Sequence, residues 1–319
     1  MERIPVAVVG AGAFGAQHAR VYASLDEAEL VAVVDRDQER ASAIAAEHGC
    51  EALDDPRLLA GRVQAVSVAV PTVAHAQVGV ALIESGADVL IEKPIAPDLE
   101  SADALIAAAE GGGRILQVGH LERFNPAVEA AHEKRTLPLF FEVHRMGTFT
   151  ARSLDVDVVL DLMIHDLDIV LSLVDSEVER IEASGLPILS QREDIASVRV
   201  VFVNGCVANL TASRISIEKI RKLRFFQPRQ YVSIDYSRQD GAVVGLGAAG
   251  ALQFEPLKVT KGEPLARQLV SFLEASRTRR KPRVSGVEAR RALELALRIK
   301  GEMESHSRLI ERTVAAYQP

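Results

Sequence analysis

The chain has 319 residues, 48% hydrophobic and 25% charged, with a formal net charge of −7; this is an ordinary globular composition, and the length points to two domains. The acid excess argues against a nucleic-acid surface as the main business of the protein, and no window is apolar for long enough to span a membrane. Cys50 and Cys206 lie in different halves without metal-ligand spacing, so they read as free thiols suited to a reducing cytoplasm, and no metal is expected.

The first apolar run, Val6 to Val9, leads into Gly10-Ala-Gly12-Ala13-Phe14-Gly15 and then a helix-compatible stretch to Leu25. It therefore reads as a strand rather than a signal peptide. A G-x-G-x-x-G pattern between strand and helix is a dinucleotide fingerprint. Gly10 permits the tight turn, Gly12 lets backbone N–H groups approach a pyrophosphate, and Gly15 lets helix and strand pack closely. The phosphates would sit at the helix N-terminus, where unpaired N–H groups and the helix dipole favour negative charge. Plain turns and methyltransferase-type loops carry similar glycines, but the next strand, Leu30 to Val34, ends in Asp35. Its carboxylate can accept both ribose hydroxyls of an adenosine and would repel a 2′-phosphate, which favours NAD over NADP. Arg36 can stack on adenine or, less often, pair with that phosphate.

Strand and helix signals keep alternating: a helix at Gln38 to His48, then Val66 to Val70, Ala74 to Ser85, Val89 to Ile91, Leu99 to Ala109 and Ile115 to Val118. The strands are continuous apolar runs, as in a parallel sheet covered on both faces. Residues 1–121 are thus expected to form a Rossmann-type, doubly wound α/β domain with its ligand crevice at the strand ends.

After Gly119 the pattern changes. A short helix at Pro126 to Lys134 precedes an edge-like strand, Phe140 to His144, and an apolar helix from about Val156 to Leu173. Strands follow at Val178 to Ser184, Ala196 to Val203, Val207 to Ser213, Lys222 to Phe226 and Tyr231 to Tyr236, with Asn204-Gly205 as a hairpin turn. Residues 238–262 carry little pattern, and helices at Leu265 to Thr278 and Gly286 to His306 close the chain. Residues 122–319 are therefore expected to form an α+β domain with an open, largely antiparallel sheet. The uncovered face of such a sheet points to a homodimer or homotetramer.

Glu92-Lys93-Pro94 follows the strand Val89 to Ile91. A lysine there can donate to a substrate oxygen and stabilise a developing alkoxide; equally, it can be a solvated loop residue paired with Glu92. On the apolar helix of the second domain, Asp161 and His165 stand four apart and share a face, so the carboxylate can orient an imidazole that takes a hydroxyl proton. A metal held by Asp161, His165 and Asp168 would need a third His or Cys at suitable spacing, which is missing.

Five motifs in order resemble the Gfo/Idh/MocA family of sugar and cyclitol dehydrogenases over nearly the whole chain. They are Gly10 to Gly15, Val70-Pro71-Thr72-Val-Ala-His75, Glu92-Lys93-Pro94, Gly119-His-Leu-Glu-Arg123-Phe124-Asn125-Pro126 and Asp161-x-x-x-His165. The resemblance implies that Lys93, Asp161 and His165 are the catalytic group. It also implies that Pro71, Thr72 and His75 line the nicotinamide ribose, that Glu92 neighbours the same site, and that the loop residues Ala13 and Phe14 belong to the cofactor site. One departure concerns glycines that the family commonly places before the Asp and midway to the His: here Val158-Val-Leu160 and Met163 stand instead.

Gly119 to Pro126, Ser153 to Asp157, Asp161 to Asp166 and Cys206 to Ser213 are similar to the branch that oxidises UDP-N-acetylglucosamine at its 3-hydroxyl. In that branch the 3-keto product passes to a partner aminotransferase that makes the 2,3-diamino sugar of some lipid A. A nucleotide sugar needs cations for its diphosphate. Arg123, Arg145 and Arg152, with Asn125 beside them, are the candidates, and the cluster Arg214, Lys219, Arg221 and Lys222 reads either as a second one or as a solvated strand end. The rivals are a dehydrogenase of a free sugar, inositol or another nucleotide sugar, and a non-catalytic NAD-sensing protein.

Overall fold

The computed structural model describes residues 2–150, 156–247 and 250–317, organised as two compact units. In the first, strands and helices alternate: β1 (Ile4–Val9), α1 (Ala13–Ser24), β2 (Ala28–Val34), α2 (Gln38–His48), β3 (Glu51–Leu53), β4 (Ala65–Val68), α3 (His75–Glu84), β5 (Asp88–Glu92), α4 (Leu99–Gly112) and β6 (Leu116–Gly119). The six strands are all parallel, in the order β3-β2-β1-β4-β5-β6. The order reverses between β1 and β4, and ligands of such sheets bind at this switch point, beyond the carboxyl ends of the strands. Val6, Ala7, Val8, Val66, Val68, Val89, Leu90 and Ile91 are fully buried, which is why these strands read as unbroken apolar runs. Asp37 and Asp98 cap the N-termini of α2 and α4, and Gly49 and Gly113 end them in the left-handed conformation.

The second unit begins at Asn125. It contains α5 (Pro126–Glu133), β7 (Phe140–Met146), a π-helical turn at Val159–Met163, α6 (Ile164–Leu173), β8 (Val178–Leu186), β9 (Ile195–Phe202), β10 (Val207–Ser213), β11 (Ile220–Gln227), β12 (Gln230–Asp235), β13 (Asp240–Leu246) and β14 (Leu252–Pro256). The eight strands lie in the order β14-β13-β12-β11-β7-β10-β9-β8. All pairs are antiparallel except β7 with β10. β7 is therefore central rather than edge-like: its Phe141 and Val143 are buried among neighbours on both sides. Burial alternates along β9, where Ala196, Val198, Val200 and Phe202 face the core. At the β9–β10 turn only Gly205 takes a positive φ, and Asn204 instead accepts the Cys206 N–H on its side-chain oxygen.

The compact units do not follow a single break near residue 121, because the last third of the chain divides between them. The first unit takes in residues through Phe124 and also Gly262–Leu293, which includes α7 (Pro264–Thr278) and the start of α8 (Gly286–Ala316). The cause is the apolar face of α7: Leu265, Leu269, Phe272 and Leu273 share one core cluster with Val6, Val8, Val21 and Tyr22. Full burial of a Leu or Phe contributes about 1.5–3 kcal/mol, so Leu269 and Phe272 alone tie the segment firmly to the sheet. At the opposite end of α7, the buried Asp88 carboxylate accepts from Ser276 Oγ (2.6 Å) and Arg279 Nη1 (2.5 Å). Ser285 and Glu288 then form a capping box that opens α8.

Candidate functional site

The glycine loop is shaped by atoms that are missing. Gly10 has φ +105°, and a Cβ there would lie 2.5 Å from the Ala69 carbonyl oxygen. A Cβ on Gly15 would overlap the Gly10 carbonyl, whereas one on Gly12 would meet open space. The loop is thus closed on the protein side at Gly10 and Gly15 and open at Gly12, the position where a pyrophosphate needs room. α1 starts after Gly12 with no side-chain cap and no acid in its first turn, so its first N–H groups and the positive end of its dipole are left for an anion. Ala13 and Phe14 at its start are exposed.

Asp35 ends β2 half-buried, and it braces this loop. Its Oδ2 accepts the Ala11 N–H at 2.6 Å and its Oδ1 the Asp37 N–H at 2.8 Å. Each oxygen keeps a further lone pair for a ribose hydroxyl. Arg36 beside it is exposed. These features fit a dinucleotide: the loop and α1 would hold its phosphates, and Asp35 its adenosine ribose.

Lys93 lies just beyond β5, half-buried, and its peptide bond to Pro94 is cis. Glu92 is buried and close to His18 of α1. Pro71 and Thr72 follow β4, Pro71 exposed and Thr72 half-buried. His75, expected to line the nicotinamide ribose, is 1% exposed. Its Nδ1 lies 2.9 Å from the Pro94 carbonyl and its Nε2 3.0 Å from that of Val70. Burial holds its pKa below the ordinary histidine value, against the pull of the two carbonyls and Glu92. His75 therefore ties the loop after β4 to the Lys93–Pro94 segment from inside the protein.

In the second unit, Asp161 sits in the π-helical turn and His165 at the second position of α6, both half-buried. The periodicity predicts one regular helix here, and the inserted π-turn is what sequence reasoning misses; such turns recur at functional sites. Asp157 opens the segment. Its Oδ1 accepts the N–H groups of Val159 and Leu160, and its Oδ2 lies 2.9 Å from Lys300 Nζ. Behind it, Arg214 donates to the carbonyls of Val156 and Glu193 and pairs with Asp194 at 3.0 Å. Asp194 is fully buried; although burial alone would raise its pKa, the N–H groups of Leu189, Ser190 and Ile188 and the Ser190 hydroxyl bring it down to about 2. Of the departures from the family pattern, Val158, Val159 and Met163 are core residues of this unit and Leu160 is half-buried.

Three of the residues expected to bind substrate, Arg123, Asn125 and Arg145, have internal partners. Arg145 is 3% exposed, forks onto Asp166 with bonds of 2.6 and 2.9 Å, and lies over the Tyr236 ring. Asn125 is buried as the N-cap of α5, accepting from Ala127 and donating to the Tyr236 carbonyl. Arg123 is 9% exposed, donates to the Arg283 carbonyl and lies 3.8 Å from Glu288. Each of these side chains is thus buried and engaged within the protein. Arg152, with Ser153, Leu154 and Asp155 of the motif running to Asp157, lies outside the described residues. Among the described residues, no cluster of three His, Cys, Asp or Glu side chains is placed to hold a metal, and no helix is long and apolar enough to cross a membrane.

A parallel sheet in this strand order, with an open glycine loop and an acid ending β2, defines a nucleotide-dependent oxidoreductase of the Rossmann class, and its cofactor is NAD. The chain belongs to the Gfo/Idh/MocA family. Residues 4–120 match the family's NAD-binding oxidoreductase domain and residues 127–227 its C-terminal domain. UDP-N-acetylglucosamine 3-dehydrogenase of Acidithiobacillus ferrooxidans is 36% identical over 93% of this chain and 96% of its own. A solved structure of that enzyme superposes with a TM-score of 0.92, covering 96% of this chain and 99% of the other at 35% identity. An inositol 2-dehydrogenase of Saccharopolyspora erythraea is 37% identical, over 54% of each chain.

Proposed function

We propose that this enzyme oxidises the 3-hydroxyl of UDP-N-acetylglucosamine to the 3-keto sugar nucleotide. The observation that carries the reading is likeness to the A. ferrooxidans dehydrogenase through both domains, whereas the inositol dehydrogenase is matched over little more than half of the chain. Bound NAD supplies the hydride acceptor. Gly10, Gly12, Ala13, Phe14 and Gly15 with Asp35 and Arg36 would hold it, and Pro71 and Thr72 would line its nicotinamide ribose. His165, oriented by Asp161, takes the proton of the sugar hydroxyl, and Lys93 donates to the same oxygen as negative charge develops there. The product is a ketone ready for a cytoplasmic aminotransferase, and the enzyme works as a homodimer or homotetramer.

The test is NADH formation across a panel of UDP-sugars, free sugars and inositols, with NAD and NADP. Turnover with UDP-N-acetylglucosamine, lost in Lys93→Ala and His165→Ala while NAD binding persists, is the expected result. NADH formed from glucose or inositol but never from the UDP-sugar would move the assignment to the free-polyol dehydrogenases.

A further inference from the structure

We infer that His18 is a positioning residue for Lys93, acting through the carboxylate of Glu92. The inference rests on the role proposed above for Lys93. His18 lies on α1, the helix that begins at the glycine loop, and is fully buried. Its Nε2 is 3.1 Å from Glu92 Oε1, and the other Glu92 oxygen accepts the backbone N–H of Lys93 at 3.3 Å. The carboxylate thus joins α1 directly to the residue that carries the lysine.

The direction of the bond follows from its partners. An ionised carboxylate only accepts, so Nε2 carries the proton and donates. His18 Nδ1 is buried with no hydrogen-bond partner, which matches its role as the bare nitrogen of that tautomer. An imidazole with an orphaned nitrogen is a poorer packing residue than leucine, so the bond to Glu92 is what distinguishes it here. Phe14 packs against the ring at 5.4 Å between centroids and limits its rotation.

The space for the carboxylate is provided by a glycine of the Gly119-to-Pro126 motif. A Cβ on Gly119 would lie 2.7 Å from Glu92 Cδ and 2.8 Å from its Oε2. Glu92 is therefore confined by His18 and Gly119, while Pro94 is held through its carbonyl by His75. Lys93 is bracketed between two residues whose positions are set by buried imidazoles.

The experiment compares wild type with His18→Ala, His18→Gln, Lys93→Ala and the His18→Ala/Lys93→Ala double variant. It measures kcat and KM on the substrate that the panel identifies, and NADH binding by fluorescence. Misplacing a catalytic group is expected to lower kcat about 10- to 100-fold in His18→Ala, with NADH affinity and KM little changed. His18→Gln keeps a donor near the position of Nε2 and is expected to recover most of the loss. Added to Lys93→Ala, His18→Ala is expected to cause no further fall, because the two act on one group. Unchanged kcat in His18→Ala, a full further loss in the double variant, or failure of Gln to rescue would overturn the inference while leaving the role of Lys93 intact. Wild-type turnover in Lys93→Ala would instead remove both. If His18→Ala does not fold, Gly119→Ala and Glu92→Ala carry the same kcat expectation, and normal kcat in either overturns the inference.

Discussion

The two units hold their functional groups by different physics. In the first, placement comes from backbone and from atoms left out: a positive φ at Gly10, no Cβ at Gly15 or Gly119, and buried imidazoles on Glu92 and Pro94. In the second, the segment bearing Asp161 and His165 is braced by charge. Buried Asp157, Asp166 and Asp194 pair with Lys300, Arg145 and Arg214. A cradle for a cofactor of fixed shape can be made by removing side chains, whereas an irregular helical turn cannot hold itself and needs strong, directional bonds around it.

That contrast can be broken most sharply at Gly10. Gly10→Ala forces a side chain against Ala69 and into a left-handed conformation, so NAD binding is expected to vanish in a calorimetric titration. The matching change in the second unit is Asp166→Asn, which strands Arg145. It is expected to cost about 3–5 kcal/mol in urea unfolding, while replacing both partners by apolar residues is expected to cost much less. If the doubly apolar version proves as stable as the wild type, charge pairing is not what braces this segment.

Acid separates the units further. Asp194 is held at about 2 against an ordinary 3.8, so its stabilisation is complete above about pH 4 and is lost as pH falls through about 2. Asp194→Asn is expected to flatten the unfolding free energy across that window. The smallest effect belongs to His75. Its pKa is lowered by burial, so the unfolded chain binds the proton first; stability is complete above about pH 6.5 and declines below it toward the lower native value. His75→Gln is expected to remove that shallow slope below about pH 6.5 in denaturant titrations, and an unchanged slope would show that His75 does not titrate with unfolding.

The first sheet was almost wholly legible because a parallel strand buried on both faces is an unbroken apolar run, and because the glycines at 10, 12 and 15 do steric work that no other residue can do. The short β3 was missed, having three residues and little apolar pattern. β13 and β14 were missed because glycines interrupt the first and the second is exposed along its whole length. The π-turn was invisible since it keeps the apolar spacing of a helix while changing its bonding. The internal engagement of Arg123, Asn125 and Arg145 is hidden from the sequence for a plainer reason. A charged or polar residue in a motif looks available in one dimension, and only its burial reveals that Asp166, Tyr236 and Glu288 already engage it.

The return of α7 to the first sheet bears on how the protein is made. Synthesis runs from the amino terminus, and a domain of contiguous sequence can close as soon as it leaves the ribosome. Here Leu269, Phe272 and Ser276, which complete the core around Tyr22 and satisfy Asp88, emerge only after the entire second sheet has been translated. The nascent first unit must therefore wait, with part of its apolar surface bare, while an inserted domain folds in front of its missing helix. Slowing translation between residues 125 and 261 is thus expected to lengthen the period in which this chain needs chaperone cover, although its amino-terminal sheet looks like a self-sufficient fold.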